Sequence, residues 1–251
     1  MPERSDTLVN TDPGTGDPDT GDPETVCLGA TTAVVDELAE ISRSFEASQP
    51  GDIVRWAVER FGDGLVVTAS FEDPVLVHAV ATAAPSTDIV LLDTQYLFAE
   101  TWWYAGELTT RLKLNLRVER PAADVVPDNR WQTDTAGCCG VRKVEPLERL
   151  LAPKAAWITG IRRADGPTRA DAPIVSWDAK RQVVKINPLA NFSDDDMTLY
   201  ATLHDLPANP LSERGYPSIG CWPCTRPVEP GEDKRAGRWS GEAKTECGLH
   251  A

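Results

Sequence analysis

The stretch GLVVTASFEDPVL, residues 64–76, decides the fold of this chain. Its apolar, β-branched half follows Gly64 and predicts a short buried strand over residues 64–70, and Pro74 suits the first turn of a helix over residues 74–84. The same order of strand and helix continues, with strands predicted at 88–93, 114–120, 155–160 and 183–187 and helices at 98–111, 144–151 and 194–206. Before this stretch, apolar residues at helical spacing predict helices at 34–45 and 53–61.

Strands that alternate with helices of this length indicate βαβ units, a mostly parallel sheet and an α/β fold of three layers. Such sheets bind ligands at the carboxyl ends of their strands. Three polar turns leave the first, second and fourth strands there: TASFEDP (68–74), DTQY (93–96) and GIRRADGPTR (160–169). We expect these turns to face one crevice, although the first lacks the glycines of a phosphate-binding loop.

The chain has 251 residues, of which 25 are basic and 39 acidic, and its net charge is −14. This charge argues against a nucleic-acid partner, because phosphate backbones are held by clustered Lys and Arg. No apolar run is long enough to span a bilayer, and the opening MPERSDTLVN lacks the apolar stretch of a secretory signal. We therefore expect a cytoplasmic protein that has no membrane partner.

Composition divides the chain into three regions. Residues 1–30 are acidic and rich in Gly and Pro, which predicts a disordered tail in which Cys27 is an incidental thiol. Residues 31–210 form the predicted α/β domain. Residues 211–251 have little apolar periodicity but half of the cysteines, which predicts an irregular C-terminal segment.

Four cysteines form two close pairs in distant parts of the chain: Cys138 with Cys139, and Cys221 with Cys224. Four thiolates suit an iron–sulfur cluster or an all-cysteine zinc site. Two consecutive side chains reach one tetrahedral ion with difficulty, whereas a [4Fe–4S] cube offers them separate irons, so the adjacent pair favours the cluster over zinc. A disulfide between the adjacent cysteines would be strained and is disfavoured in a reducing compartment.

Cys247 stands in KTECGLHA, residues 244–251, where no core is expected to hold it. Free cysteines are generally buried, so an exposed one indicates reactivity. We expect Lys244 and His250 to lower the pKa of this thiol or to orient an anionic partner. An accidental surface thiol is the alternative.

Cations gather at the predicted strand ends and beside the cysteines. They fall into three groups: Arg162, Arg163 and Arg169; Lys234, Arg235 and Arg238; and Arg142 with Lys143. In so acidic a chain they indicate a doubly anionic ligand that is held by guanidinium forks. Surface charge with local acidic partners is the alternative.

Five segments resemble, in the same order, motifs of the assimilatory adenylyl-sulfate reductases, a group of the phosphoadenylyl-sulfate reductase family. They are LDTQYLFAET (92–101), CCGVRKVEPL (138–147), GIRRADGPTRA (160–170), CWPCTRPVEPGEDKRAGRW (221–239) and KTECGLH (244–250). The resemblance runs from about Gly62 to the C-terminus and implies an adenine-nucleotide α-hydrolase fold with a Rossmann-like parallel sheet. It makes residues 31–210 a nucleotide-binding reductase domain, and residues 211–251 a cluster-binding segment with a mobile catalytic tail.

The resemblance also implies roles for individual residues. It implies that a [4Fe–4S] cluster is bound by Cys138, Cys139, Cys221 and Cys224, and that Cys247 is the catalytic nucleophile. The implied substrate-binding residues are Ser70, Asp73, Asp93, Thr94, Lys143, Gly160, Arg169, Arg235, Arg238 and His250.

The implied reaction is the reduction of adenosine 5′-phosphosulfate to sulfite and AMP in sulfate assimilation. The Cys247 thiolate attacks the sulfate sulfur and AMP leaves, and thioredoxin then releases sulfite from the S-sulfocysteine. Because thiols supply both electrons, we expect the cluster to keep its oxidation state.

Three alternatives remain open. The first is the 3′-phosphorylated substrate with the same chemistry, against which the two cysteine pairs argue. The second is an ATP-using tRNA-thiolation or ligase enzyme of the same fold, although TASFEDP is not the Ser-Gly-Gly-x-Asp-Ser turn that such an enzyme needs for pyrophosphate. The third is a non-catalytic iron–sulfur or zinc sensor.

Overall fold

A six-stranded sheet forms the centre of the structure, a computed structural model that describes residues 31–240, 244 and 246–250. The strands lie in the order β3-β2-β1-β4-β6-β5. Their bounds are β1 Leu65–Thr68, β2 Asp88–Leu92, β3 Asn115–Glu119, β4 Ala156–Ile158, β5 Val175–Asp178 and β6 Val183–Ile186. All neighbouring strands are parallel except β5 and β6, which are antiparallel. The predicted disorder of residues 1–30, with Cys27, lies outside the described residues.

Helices surround the sheet. Their bounds are α1 Thr32–Ser44, α2 Pro50–Phe61, α3 Val75–Ala83, α4 Ala99–Leu112, α5 Arg130–Thr133, α6 Thr135–Cys139, α7 Glu145–Leu151 and α8 Asp194–Leu203. Local sequence explains where two of them begin. Pro50 occupies the first turn of α2, and the Ser193 hydroxyl accepts a hydrogen bond from the Asp196 N–H (3.1 Å) at the start of α8. None of the described helices is both long and apolar enough to cross a membrane.

The two faces of the sheet carry separate hydrophobic clusters. Successive residues of β1 point to opposite faces, so that Leu65 and Val67 pack in the larger cluster, with residues of α1 to α4. Val66 packs in the smaller cluster, with Leu147 and Leu151 of α7. Helices therefore cover both faces of a mostly parallel sheet, which confirms the predicted three-layer α/β fold.

Two regions differ from the prediction, whereas the other predicted strands and helices are present within one to three residues of their expected bounds. The sequence gives no signal for β5, because only Val175 of its four residues is buried. It also gives none for α5 and α6, which are four and five residues long. A π-helical segment, Gly140–Val144, joins α6 to α7, so the predicted helix at 144–151 is the end of a longer helical stretch that carries Cys138 and Cys139.

Candidate active site

A cleft of about 210 Å³ opens at the carboxyl ends of β1, β2 and β4. The turns after these three strands form part of its wall, as the sequence predicts. Ten residues that were predicted to catalyse or to bind substrate line the cleft: Ser70, Asp73, Thr94, Lys143, Gly160, Arg169, Arg235, Arg238, Cys247 and His250. The C-terminal segment contributes further wall residues, among them Ser218, Trp239 and Glu246.

The turn after β1 brings two carboxyl groups into the cleft. Buried Phe71 has a φ of +56°, so the chain bends sharply there. The Asp73 carboxylate accepts a hydrogen bond from the Val75 N–H (2.9 Å) at the start of α3, and the Glu72 carboxylate accepts one from the Ile219 N–H (3.0 Å). Burial raises the pKa of both carboxyl groups. Glu72 thus ties the C-terminal segment to the first turn of the cleft.

Asp93 differs from the other predicted substrate-binding residues, because it is not among those that line the cleft. One of its carboxylate oxygens accepts a hydrogen bond from the Gln95 N–H (2.8 Å), and the other accepts one from Arg120 Nε (3.2 Å). Both oxygens are therefore used in the local structure that follows β2. A substrate contact of Asp93 stays a prediction.

Lys143 and Arg238 are cleft cations that form no ion pair with an Asp or Glu of the described chain. Burial acts to lower the pKa of Lys143, but the negative charges of Cys221 and Cys247 outweigh it and raise this pKa to about 12. Arg238 donates to the Ser218 hydroxyl (3.1 Å) and to a backbone carbonyl (3.2 Å). Both positive charges are thus available to an anion that enters the cleft.

Other cleft cations are paired with carboxylates. Arg162, Arg169 and Lys234 all lie within ion-pair distance of Asp165, at 2.9, 3.1 and 3.7 Å respectively. Arg169 also contacts Glu246 of the C-terminal tail at 2.8 Å. One aspartate therefore gathers three of the cations that the sequence assigns to an anionic ligand.

Two of the arginines in those sequence groups lie outside the cleft. Arg163 forms a bidentate pair with Glu46, with hydrogen bonds of 2.6 and 2.8 Å. Arg142 is buried and donates to the Gln95 side chain (2.9 Å) and to the Val126 carbonyl (2.7 Å). Arg163 therefore has an acidic partner away from the cleft, whereas Arg142 lines the small pocket beside the four paired cysteines.

Cys247 lies half-buried in the cleft, and not on an exposed tail as the sequence suggests. Burial acts to raise the pKa of the Cys247 thiol. Three groups outweigh burial and lower this pKa: the Lys143 ammonium, the backbone of Leu249 through a hydrogen bond, and the Arg238 guanidinium. From the sequence, we expect Lys244 and His250 to have this effect. The activating cations instead come from distant parts of the chain that the fold brings to the thiol.

His250 anchors the end of the described tail against β4. Its ring stacks on the ring of buried Trp157, with centroids 5.4 Å apart and planes inclined by 13°. Arg181 donates to the carbonyl of Gly248 (3.3 Å), two residues earlier. Burial, followed by the positive charge of Lys185, lowers the pKa of His250 well below its usual value. The docked imidazole is therefore neutral at ordinary pH.

The four cysteines that were predicted to bind metal line one small pocket beside the cleft: Cys138, Cys139, Cys221 and Cys224. The first pair ends α6. Cys221 directly precedes a tight turn, Trp222–Cys224, and Cys224 ends that turn. Thr94, which lines both the cleft and this pocket, has its hydroxyl oxygen 3.2 Å from the Cys221 sulfur. All four are free thiols, so the disulfide between the adjacent pair is not formed.

Burial raises the pKa of three thiols in this pocket, those of Cys138, Cys139 and Cys224, the last to about 11. Within the residues that the structure describes, no group of three or more His, Cys, Asp or Glu side chains is arranged to hold a metal ion. The fold thus brings the four predicted ligands to one pocket without a coordination sphere among them.

Three residues of the site are not among those that the sequence predicts: Glu72, Trp157 and Glu246. Trp157 lies inside a predicted buried strand, where an apolar residue carries no functional signal. Glu246 could have been noticed, because it directly precedes the predicted nucleophile and lies in a chain segment that has little to bury. Nothing in the sequence indicates that its partner is Arg169.

Comparisons with known proteins show the family to which the chain belongs. Residues 64–227 match the phosphoadenosine phosphosulfate reductase domain family. A Streptomyces coelicolor protein named adenosine 5′-phosphosulfate reductase is 44% identical over 227 residues, which cover 88% of this chain and 96% of that protein. A Gloeobacter violaceus protein named phosphoadenosine 5′-phosphosulfate reductase is 41% identical over 225 residues, which cover 85% of this chain and 93% of that protein.

A solved structure is similar in fold: the phosphoadenylyl-sulfate reductase of Candida auris. It superposes with a TM-score of 0.68 at 24% identity, and the match covers 79% of this chain and 99% of that one. This likeness confirms the predicted fold class and nothing finer. Because the family match spans more than half of the sequence and the curated relatives span most of it, the chain belongs to the phosphoadenosine phosphosulfate reductase family.

Proposed function

We propose that this chain reduces adenosine 5′-phosphosulfate to sulfite and AMP in sulfate assimilation. The observation that carries the proposal is the position of Cys247, whose thiol lies in the cleft under the influence of two cations, Lys143 and Arg238. A lowered thiol pKa supplies the thiolate that attack requires near neutral pH. The name of the Streptomyces coelicolor relative supports this choice of substrate.

The proposed reaction has two steps, in both of which the electrons come from thiols. In the first, the Cys247 thiolate attacks the sulfur of the sulfate group, an S–S bond forms, and the S–O bond to AMP breaks with its electron pair on the AMP oxygen. In the second, one thiol of a dithiol protein attacks the Cys247 sulfur, and sulfite leaves with the electron pair of the S–S bond. The second thiol then closes the reductant's disulfide and frees Cys247. We propose thioredoxin as this reductant, and the cytoplasm as the compartment.

Lys143 and Arg238 suit the first step, because negative charge crowds the oxygens of the group that is transferred. Neither is engaged with a carboxylate of the described chain, so binding the sulfate group breaks no ion pair. We propose that the nucleotide is held by the remaining predicted residues: Ser70, Asp73, Asp93, Thr94, Gly160, Arg169, Arg235 and His250. All of these except Asp93 line the cleft.

We also propose that Cys138, Cys139, Cys221 and Cys224 hold a [4Fe–4S] cluster. The chemistry of the pocket fits this group, because four thiols share it with Arg142, Lys143 and Arg238, whose charges offset those of thiolates. Three of the thiols have raised pKa values, so they keep their protons until a metal displaces them. When bound, the cluster supplies fixed charge beside Lys143.

The metal content tests the cluster separately from activity. Protein purified without air should contain iron and acid-labile sulfide in equal amounts, and Cys138→Ala or Cys224→Ala should lose both. Cys247→Ser is the matched control and should keep both, since Cys247 does not line that pocket. Zinc without sulfide would instead support the all-cysteine zinc site.

Intact-mass analysis tests the nucleophile. We expect reduced protein that is incubated with adenosine 5′-phosphosulfate and no reductant to gain the mass of one SO₃ unit on its C-terminal peptide. Cys247→Ser should show no gain and form no sulfite when thioredoxin is added. Sulfite formation by that variant would refute the role of Cys247.

A second candidate substrate is the 3′-phosphorylated nucleotide, which the name of the Gloeobacter violaceus relative favours. Comparison of kcat/KM for the two nucleotides separates the candidates. We expect the unphosphorylated one to be preferred, and a preference for the other would reverse this assignment without affecting the mechanism.

A further inference from the structure

The Glu246 carboxylate contacts the arginines that the proposed function assigns to the nucleotide. One carboxylate oxygen accepts hydrogen bonds from Arg169 Nε (2.8 Å) and from the Thr168 hydroxyl (3.2 Å), and the other accepts one from Arg169 Nη2 (2.8 Å). Arg235 Nη2 lies 3.6 Å from the second oxygen. Two parallel hydrogen bonds from one guanidinium are also the arrangement in which arginine binds phosphate and sulfate groups.

The two arginines repel each other, and one carboxylate lies close to both of them. Burial, followed by the positive charges of Arg169 and Arg238, lowers the pKa of Arg235, which means that the guanidinium groups repel each other. The Arg169 and Glu246 side chains are only 14% and 17% exposed, so solvent screens these charges weakly. Asp165 also contacts Arg169 (3.1 Å), but among the described residues Glu246 is the carboxylate that lies within 4.0 Å of both guanidinium groups.

A nucleotide that carries a phosphosulfate group would supply the same charge. Two anions at contact distance in a partly buried site repel each other, so the carboxylate and the nucleotide cannot both use Arg169 and Arg235. We infer that Glu246 is an internal anion that competes with the nucleotide for Arg169 and Arg235, and that nucleotide binding displaces it. This inference rests on the proposed function, since it takes an adenine nucleotide as the ligand of the cleft.

The exchange links ligand binding to the nucleophile, because Glu246 is bonded to Cys247 in the chain. When Glu246 leaves Arg169, the neighbouring thiol loses one of the contacts that fix its backbone. Lys143 and Arg238 have no carboxylate partner in the described chain and remain in place for the sulfate group. Linkage is reciprocal, so a tail that is held more firmly by Glu246 must bind the nucleotide more weakly.

Binding measurements with two ligands that differ in charge test the inference. AMP and adenosine are titrated by calorimetry into the full reduced chain, as wild type and as Glu246→Gln. We expect Glu246→Gln to bind AMP about fivefold or more tightly than wild type does, and to bind adenosine with unchanged affinity. Glu246→Ala should shift AMP binding in the same direction and serves if the first variant does not fold.

Glu46→Gln is the matched control, because Glu46 makes an equivalent bidentate pair with Arg163 outside the cleft. It should leave AMP affinity unchanged. Equal AMP affinity of wild type and Glu246→Gln would overturn the inference while leaving the proposed function intact. A gain for adenosine as large as that for AMP would also overturn it, because Glu246 would then only obstruct the cleft. If neither protein binds AMP, the proposed function itself fails.

Discussion

The positively charged side chain of Lys143 lies near two groups of thiols. Its positive charge lowers the pKa of Cys247 in the cleft. Lys143 also lines the pocket of the four proposed metal ligands. With a pKa of about 12, Lys143 stays protonated at neutral pH. The reactivity of Cys247 is therefore set by a residue that lies more than a hundred positions away in sequence.

Replacement of Lys143 by Met should raise the pKa of Cys247, because burial would then act against one less positive charge. The rate of alkylation by iodoacetamide, followed at the Cys247 peptide as a function of pH, measures this pKa directly. We expect the midpoint to move to higher pH and kcat to fall about 10²-fold. Lys154→Met is the control, since Lys154 is remote from the cleft and bonds to the Asp63 carbonyl. An unchanged alkylation profile would show that other groups activate the thiol.

At the scale of elements, the tail residues 246–250 dock on strand β4 through His250. Four cations surround the docked ring, Lys185, Arg169, Arg181 and Arg235, and these disfavour its protonation. Because docking lowers the pKa of His250, the released imidazole binds a proton at a higher pH than the docked one does. Docking should therefore be strongest above the ordinary His pKa of about 6.5 and weaken as the pH falls below it.

Hydrogen exchange of the C-terminal peptide, corrected for intrinsic rates, measures this docking. In wild type, protection of residues 246–250 should decrease as the pH is lowered through about 6.5. His250→Phe keeps a ring for the contact with Trp157 and should remove the pH dependence. His204→Phe is the control, because His204 is an exposed residue at the end of α8. Loss of protection at the same pH in His250→Phe would assign the effect to another group.

The elements also show what the sequence could predict. β1, α3 and β2 are predictable, because a buried β-branched run, Pro74 and helical spacing are all local signals. The gathering of ten predicted residues in one cleft follows from the rule that parallel strands end at a common edge. The pair of Glu246 with Arg169 spans 77 positions, and the stack of His250 on Trp157 depends on how the tail crosses the sheet. Such contacts are decided by tertiary packing, and no local pattern carries them.

At the scale of the whole molecule, the cleft depends on a sheet that helices hold from both faces. The C-terminal tail packs on the sheet face of the smaller cluster, where Leu249 lies against Val66 and Trp157, whereas residues of α1 to α4 form the larger cluster on the other face. Leu108 of α4 is fully buried in that cluster and does not line the cleft. It therefore reports the stability of the scaffold separately from the chemistry of the site.

Replacement of Leu108 by Ala should lower the free energy of unfolding by about 2–5 kcal/mol, since it removes buried apolar contacts and leaves a cavity. Leu203→Ala is the matched control: Leu203 is also a helical leucine but is 72% exposed, and its replacement should change that free energy by about 0.5 kcal/mol or less. Urea unfolding of the two variants, compared at unchanged m-value, makes the measurement. Below its unfolding transition, Leu108→Ala should keep the AMP affinity of wild type, because the carboxyl ends of the strands are held by many other contacts. If Leu108→Ala lost AMP binding while still folded, the cleft would be coupled to the α4 layer much more closely than the packing of the sheet implies.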